Sequence, residues 1–216
     1  MVEIFLAAKI WDSEIIGKFY SALKKLPDEE KCDCSIFIAQ TLQKRGGNSN
    51  ISAAAEILEY GINNYNNVST ETKARMHWAF GYIIEYHLQN YEDAYQQYLL
   101  WKDLNSKTSG VYIALTRCLL LRDNFVYSPE LEENLLKSGG EGDLGRGEDR
   151  LYESIAWYLV YAKQGNKKKM AQYRGIAQAI LKSDENFLPD YVFRNDAEKE
   201  ELNIPQNVRI YVKEMP

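Results

Sequence analysis

The sequence predicts an all-α chain, and three observations carry that reading. Apolar residues recur at i, i+3, i+4 and i+7 through most of the chain, and almost no stretch alternates with period two. The five prolines, Pro27, Pro129, Pro189, Pro205 and Pro216, all fall at the borders of these periodic segments, where a residue without an amide proton is tolerated. The segments also come in pairs. Ala39, Gly81, Thr116 and Tyr158 hold equivalent places before polar turns and lie 42, 35 and 42 residues apart, close to the period of about 34 residues of a helical-hairpin repeat.

The elements follow from these breaks. Asp12-Ser13-Glu14 starts a helix over Ser13 to Leu26 that would cap the array. Ser35 to Lys44 and Ile51 to Asn63 flank Gly46-Gly47, a pair that punctuates a turn. Ser69-Thr70-Glu71-Thr72 opens the helix Ser69 to Leu88 with hydroxyl caps and an early carboxylate, both favourable at exposed amides. Tyr91 to Leu104, Ser109 to Leu121, Pro129 to Lys137, Glu148 to Lys163 and Lys167 to Lys182 complete the set. Ser138 to Arg150, with five glycines, reads as a connector. Beyond Ser183 the chain turns acidic and irregular, with a short helical stretch at Asn195 to Leu202. Val208-Arg209-Ile210-Tyr211-Val212 then alternates like a strand, one able to pair with Val2 to Leu6 or with another protein. The expected organisation is a repeat domain over residues 1–182 and a C-terminal extension over 183–216 that packs on the last repeat or on a partner.

Composition excludes several functions. With 26 basic against 31 acidic residues, the net charge of -5 provides no global field to attract nucleic acid or anionic lipid. Three cysteines, Cys32, Cys34 and Cys118, fit a reduced compartment, and the cytoplasm is the expected location. The run Ile4-Phe5-Leu6-Ala7-Ala8 is too short for a signal-peptide core, and Val111 to Leu121 and Ile155 to Ala162 are too short to cross a bilayer. Cys32-Asp33-Cys34 lacks a second ligand pair nearby, and His77 and His87 stand ten residues apart, so no metal is expected. The glycine-rich connector has no Gly-Lys-Ser/Thr ending and carries acids that would repel phosphate. No nucleophile stands beside a histidine and a carboxylate in a familiar local pattern, so neither a cofactor nor catalysis is expected.

The segment from Ala74 to Trp101 carries a more specific pattern. His77-x2-Phe80-Gly81-x2-Ile84, followed by Tyr91-Glu92-Asp93-Ala94-x3-Tyr98, resembles the tetratricopeptide repeat (TPR). Gly81 and Ala94 are small enough for two antiparallel helices to approach closely, with Phe80 and Tyr98 filling the space beside them. Trp157-Tyr158-x2-Tyr161-Ala162-Lys163-Gln164-Gly165-Asn166 is similar to the end of a repeat's first helix and its turn. The unit from Ala74 departs in having His77 for the usual Trp and Ile84 for the Tyr, one extra turn residue and no closing proline. The resemblance covers about residues 35–182 and implies an α-α superhelix, a right-handed solenoid of about four hairpins.

Such a stack presents its first helices on a concave surface. By resemblance the groove positions here are Ile36, Gln40, Gln43 and Lys44; Trp78, Tyr82, Glu85 and Tyr86; Ile113, Arg117 and Leu120; and Tyr152, Ile155, Leu159 and Lys163. Trp78, Tyr82 and Tyr86 form an aromatic stripe that fits either the core or a partner. Trp78, Tyr82, Glu85, Tyr86, Arg117 and Tyr152 are the residues expected to bind. Groove lysines and asparagines that clamp a chaperone tail are lacking. The expected function is therefore a non-catalytic module for a peptide or helix of a protein partner. By analogy with short acidic proteins it would be of the immunity or antitoxin type. A self-assembling homo-oligomer and, further off, an α-helical hydrolase are the alternatives.

Overall fold

The computed structural model describes Phe5 and residues 11–105, 107–141, 147–185 and 204–216. Among them are ten helices and no strand: α1 (Ser13–Leu23), α2 (Asp28–Arg45), α3 (Asn48–Asn64), α4 (Thr70–Tyr86), α5 (Tyr91–Leu104), α6 (Ser109–Arg122), α7 (Pro129–Ser138), α8 (Gly147–Gln164), α9 (Lys167–Glu185) and α10 (Gln206–Glu214). None of these helices is long and apolar enough to cross a membrane. The chain divides into two compact units, Met1–Lys107 and Thr108–Pro216. That border lies inside the single repeat domain expected over residues 1–182.

In the first unit α1 begins on Asp12, whose carboxylate accepts the Ile15 amide at 3.0 Å. Its buried face of Ile16, Phe19 and Leu23 meets Trp11 and Phe5, with the Phe5 and Phe19 rings 5.5 Å apart. Helix α2 starts seven residues before the position read from the sequence, directly after Pro27. Asp28, Glu29 and Glu30 fill its first turn, where carboxylates favour the helix dipole, so their polarity does not mark a loop. Ile38, Ala39 and Leu42 of α2 share one core with Ala54, Ile57 and Leu58 of α3. Gly46 and Gly47, at φ +66° and +83°, make the turn between them.

Two of these carboxylates also organise the start of α4. Glu29 accepts hydrogen bonds from the Ser69 amide and hydroxyl, each at 2.8 Å, and from the Thr72 hydroxyl. Asp28 accepts from the Asn67 amide at 3.2 Å. Ser69 in turn caps α4, its hydroxyl accepting the Thr72 amide at 3.1 Å. Helix α5 returns along α4, and the close approach read from the sequence lies at Gly81. A methyl group there would stand 2.7 Å from the Tyr98 ring, nearer than real side chains come.

The second unit is built from the hairpins α6/α7 and α8/α9 with α10 added. Ser128 caps α7 ahead of Pro129. Helix α8 is buried continuously from Leu151 to Val160. Trp157, Tyr161 and Tyr173 stack between α8 and α9 with centroids 5.7–6.2 Å apart. The Glu141 carboxylate gathers the hydroxyls of Tyr161 and Tyr173 and the Lys169 ammonium, and hydrogen bonding from Tyr161 is the main reason its carboxyl is held below the usual range.

The C-terminal reading needs correction. Val208 to Val212 is not a strand but part of α10. Val208 and Val212, four apart, are fully buried, while Ile210 between them is exposed, so the alternation came from a helix seam and one outward residue. The Tyr211 ring stacks on Phe125 at 4.2 Å, the Tyr158 hydroxyl donates to the Pro216 carbonyl at 3.2 Å, and the Gln178 amide donates to the Val212 carbonyl at 3.3 Å. The end of the tail is thus a helix belonging to the second unit. The helical stretch read at Asn195 to Leu202 lies outside the described residues, as do residues 142–146 of the connector, whose last part, Gly147 to Arg150, is the first turn of α8.

Two predictions follow from this packing. Gly81→Ala is expected to cost about 1–3 kcal/mol by overpacking against Tyr98, whereas Gly17→Ala, on an exposed face of α1 with nothing near it, is expected to gain about 0.5–1 kcal/mol; urea unfolding followed by circular dichroism reads both. Hydrogen bonds from Thr72 and Ser69 hold the Glu29 carboxyl below its ordinary range, and Lys31 and the Asn67 amide do the same for Asp28. Depressed folded-state values stabilise the fold above the unfolded values of about 4, and that contribution is lost as pH falls through the folded values. Unfolding midpoints measured from pH 7 to pH 2.5 are expected to drop at the acid end, less steeply in Glu29→Gln.

Candidate functional site

Helices α2 and α4 lie against each other in the first unit, and small residues on both, Ala39 and Ala79, keep the space between them open. The result is a groove of about 310 Å³ floored by Ala39, Leu58, Ala79 and Ile83. Gln40, Gln43 and Lys44 of α2 form one wall, and Trp78 and Tyr82 of α4 the other. Nearer the start of both helices, the Arg75 guanidinium meets the Asp33 carboxylate at 2.9 Å. The two helices therefore run in the same direction, joined by an ion pair at one end and open toward Lys44 and Tyr82 at the other.

The aromatic wall is continuous. Trp78, 36% exposed, sits 6.3 Å from Tyr82, which stacks on Tyr86 at 4.3 Å. Behind Trp78 stands Trp101 of α5 at 6.4 Å, itself 6.0 Å from Tyr98. Phe37 is 51% exposed on the α2 stripe that carries Gln40 and Lys44. Large apolar rings held open to water are the costly feature of this face, because a buried position would gain the transfer energy that these forgo.

The residues expected to bind are only in part at the surface. Trp78 and Tyr82 line the groove, and Tyr86 extends their stack by a turn. Glu85 is instead 2% exposed, inside the α4/α5 pair, where it accepts the Tyr98 hydroxyl at 2.7 Å. Arg117 and Tyr152 belong to the second unit and are buried there. Arg117 reaches the Asp149 carboxylate at 2.8 Å and lies over the Tyr152 ring at 5.9 Å. Leu120 and Ile155 are fully buried too, because α6 and α8 are covered on nearly every side. Ile36 likewise belongs to the core. The floor residues Ala39, Leu58, Ala79 and Ile83 went unread as site residues; an alanine on each of two first helices was the signal for two of them.

A second cavity of about 170 Å³ lies among Cys32, Gly61, Ile62, Tyr65, Asn66, Val68, Lys73, Met76 and His77. Burial, with the nearby Glu29 and Asp28 carboxylates, pushes the Cys32 thiol up to about 11, which opposes a nucleophilic role. His77 Nδ1 is engaged with Gln97 Oε1 at 2.8 Å, and burial lowers the pKa of His87. Among the described residues no group of three His, Cys, Asp or Glu is placed to hold a metal ion.

No protein-family model matches this chain, and no curated protein or solved structure matches it significantly.

Glu85→Ala removes an acceptor from the buried Tyr98 hydroxyl and is expected to cost about 1–3 kcal/mol of stability, while Lys44→Ala, at an exposed position, is expected to stay within about 0.5 kcal/mol of wild type. Chemical denaturation of the two variants side by side separates the structural residue from the surface one.

Proposed function

We propose that this protein is a non-catalytic protein-interaction module of TPR-like helical hairpins, and that the groove between α2 and α4 receives a short segment of a partner protein. The observation that carries this reading is the half-open aromatic wall of Trp78 and Tyr82 facing the Gln40 and Gln43 amide side chains across an apolar floor. Apolar floors supply affinity, and a few polar groups at the rim fix orientation, which is the usual division of labour in a recognition site. Trp and Tyr are also the side chains that most often dominate binding energy. Among the described residues the lining holds no carboxylate, imidazole or thiol, and its chemistry suits recognition better than proton transfer or nucleophilic attack.

Support for the TPR-like reading comes from pairing and packing. Helices α2/α3, α4/α5, α6/α7 and α8/α9 are consecutive, mutually packed pairs. Gly81 lies under the Tyr98 ring, and Ala94 is fully buried.

The test is to select peptides from a displayed random library on the immobilised full chain and measure their affinity by fluorescence anisotropy. Trp78→Ala is expected to weaken them by about 30-fold or more, the loss of a hot-spot residue. Leu136→Ala, at a 62% exposed position of the second unit, is expected to leave affinity unchanged. Selected peptides that bind folded Trp78→Ala as tightly as wild type would refute the reading.

A further inference from the structure

We infer that the segment taken up by this groove carries an acidic side chain next to its apolar anchor, and that Lys44 recognises it; this inference rests on the peptide-binding reading above. Among the described residues, the charge in the lining is the Lys44 ammonium. Lys18, Lys31 and Arg75 of the same unit each stand 2.5–2.9 Å from a carboxylate. Lys44 has no carboxylate within 4.0 Å among the described residues, and neither the Gln40 nor the Gln43 side chain has a hydrogen-bond partner among them. One ammonium and two side-chain amides thus face the groove with their hydrogen-bonding capacity unused among the described residues.

The surroundings point the same way. Arg75 and Asp33, nearer the start of the two helices, neutralise each other. Lys44 is thus a local positive charge on a chain whose net charge is -5. The net charge does not oppose a local acidic contact, because charges more than about 8–10 Å away are largely screened at physiological salt. It lowers the encounter rate while Lys44 sets the preference at contact. The volume also limits the occupant. At about 310 Å³ the groove is at the lower end of the range of about 300–1,000 Å³ for ligand pockets, which suits one large side chain and its neighbour's head group. The anchor packs over Ala39 and Ala79 against Trp78, and the adjacent carboxylate reaches Lys44.

The experiment repeats the library selection on full-length wild type, Lys44→Glu and Trp78→Ala, with random positions internal to the displayed chain and folding checked by circular dichroism. Wild type is expected to select an aromatic or large aliphatic residue with Asp or Glu one or two positions away. Lys44→Glu is expected to keep the anchor and exchange the acid for Lys or Arg. In synthetic peptides blocked at both ends, replacing that acid by its amide is expected to weaken wild-type binding by about 3- to 10-fold, the range of a partly exposed charged contact. Trp78-dependent peptides without a charge preference, or with one that Lys44→Glu leaves in place, would overturn the inference and leave the binding reading intact. Peptides that bind only through a free C-terminal carboxylate, losing affinity on amidation, would also overturn it. If no peptide depends on Trp78, both readings fall.

Discussion

The Tyr98 ring lies over Gly81 with no room for a methyl group between them, and its hydroxyl ends on the buried Glu85 carboxylate. This contact fixes how far apart α4 and α5 stand and also the rotation of α4 about its own axis. Gly81 and Glu85 face α5, and Trp78 and Tyr82 sit at the border of that face, where Trp78 meets Trp101 of α5 and both rings line the groove beside α2. A helix free to roll would bury those rings, since their transfer from water is favourable. The lock at Gly81 and Glu85 stops that roll and leaves the two rings at the border of the helix pair.

The second wall is held by carboxylates. Glu29 and Asp28 in the first turn of α2 bind the loop that leads into α4, and Asp33 one turn further on meets Arg75. These bonds bring the starts of α2 and α4 together, while Ala39 and Ala79 farther along place no bulk between them. The opening thus arises where the tie ends and the side chains are small. Such a groove is preformed, so a ligand entering it would not have to order its walls first.

What could be read from the sequence depended on whether the signal was local. The helical period, the Ser69 cap and the tight fit of Gly81 against Tyr98 are set by residues close in the chain, and they were legible. The start of α2 was not, because Asp28-Glu29-Glu30 looks like a polar loop until its carboxylates are seen to hold the Ser69 loop 40 residues away. The strand read at Val208 to Val212 failed because five residues cannot separate period two from a 3.6-residue seam that carries one exposed Ile210. The site was half legible. Gln40, Gln43, Lys44, Trp78 and Tyr82 do share a groove, but Glu85, Arg117 and Tyr152 are buried. Helical position alone could not reveal that Tyr98 would claim Glu85, or that Asp149 would claim Arg117.

The central claim is that Trp78 is the open anchor point of a ready-made groove, and the four tryptophans make it directly measurable. Each indole N–H of the ¹⁵N-labelled full chain gives one cross-peak in an amide-correlation spectrum, and the Trp78→Phe variant assigns that of residue 78. On titration with a selected peptide, the Trp78 resonance should shift furthest, while those of the buried Trp11 and Trp157 stay in place. A Trp78 signal that stays still while the peptide binds, or a largest shift at Trp157, would contradict the account.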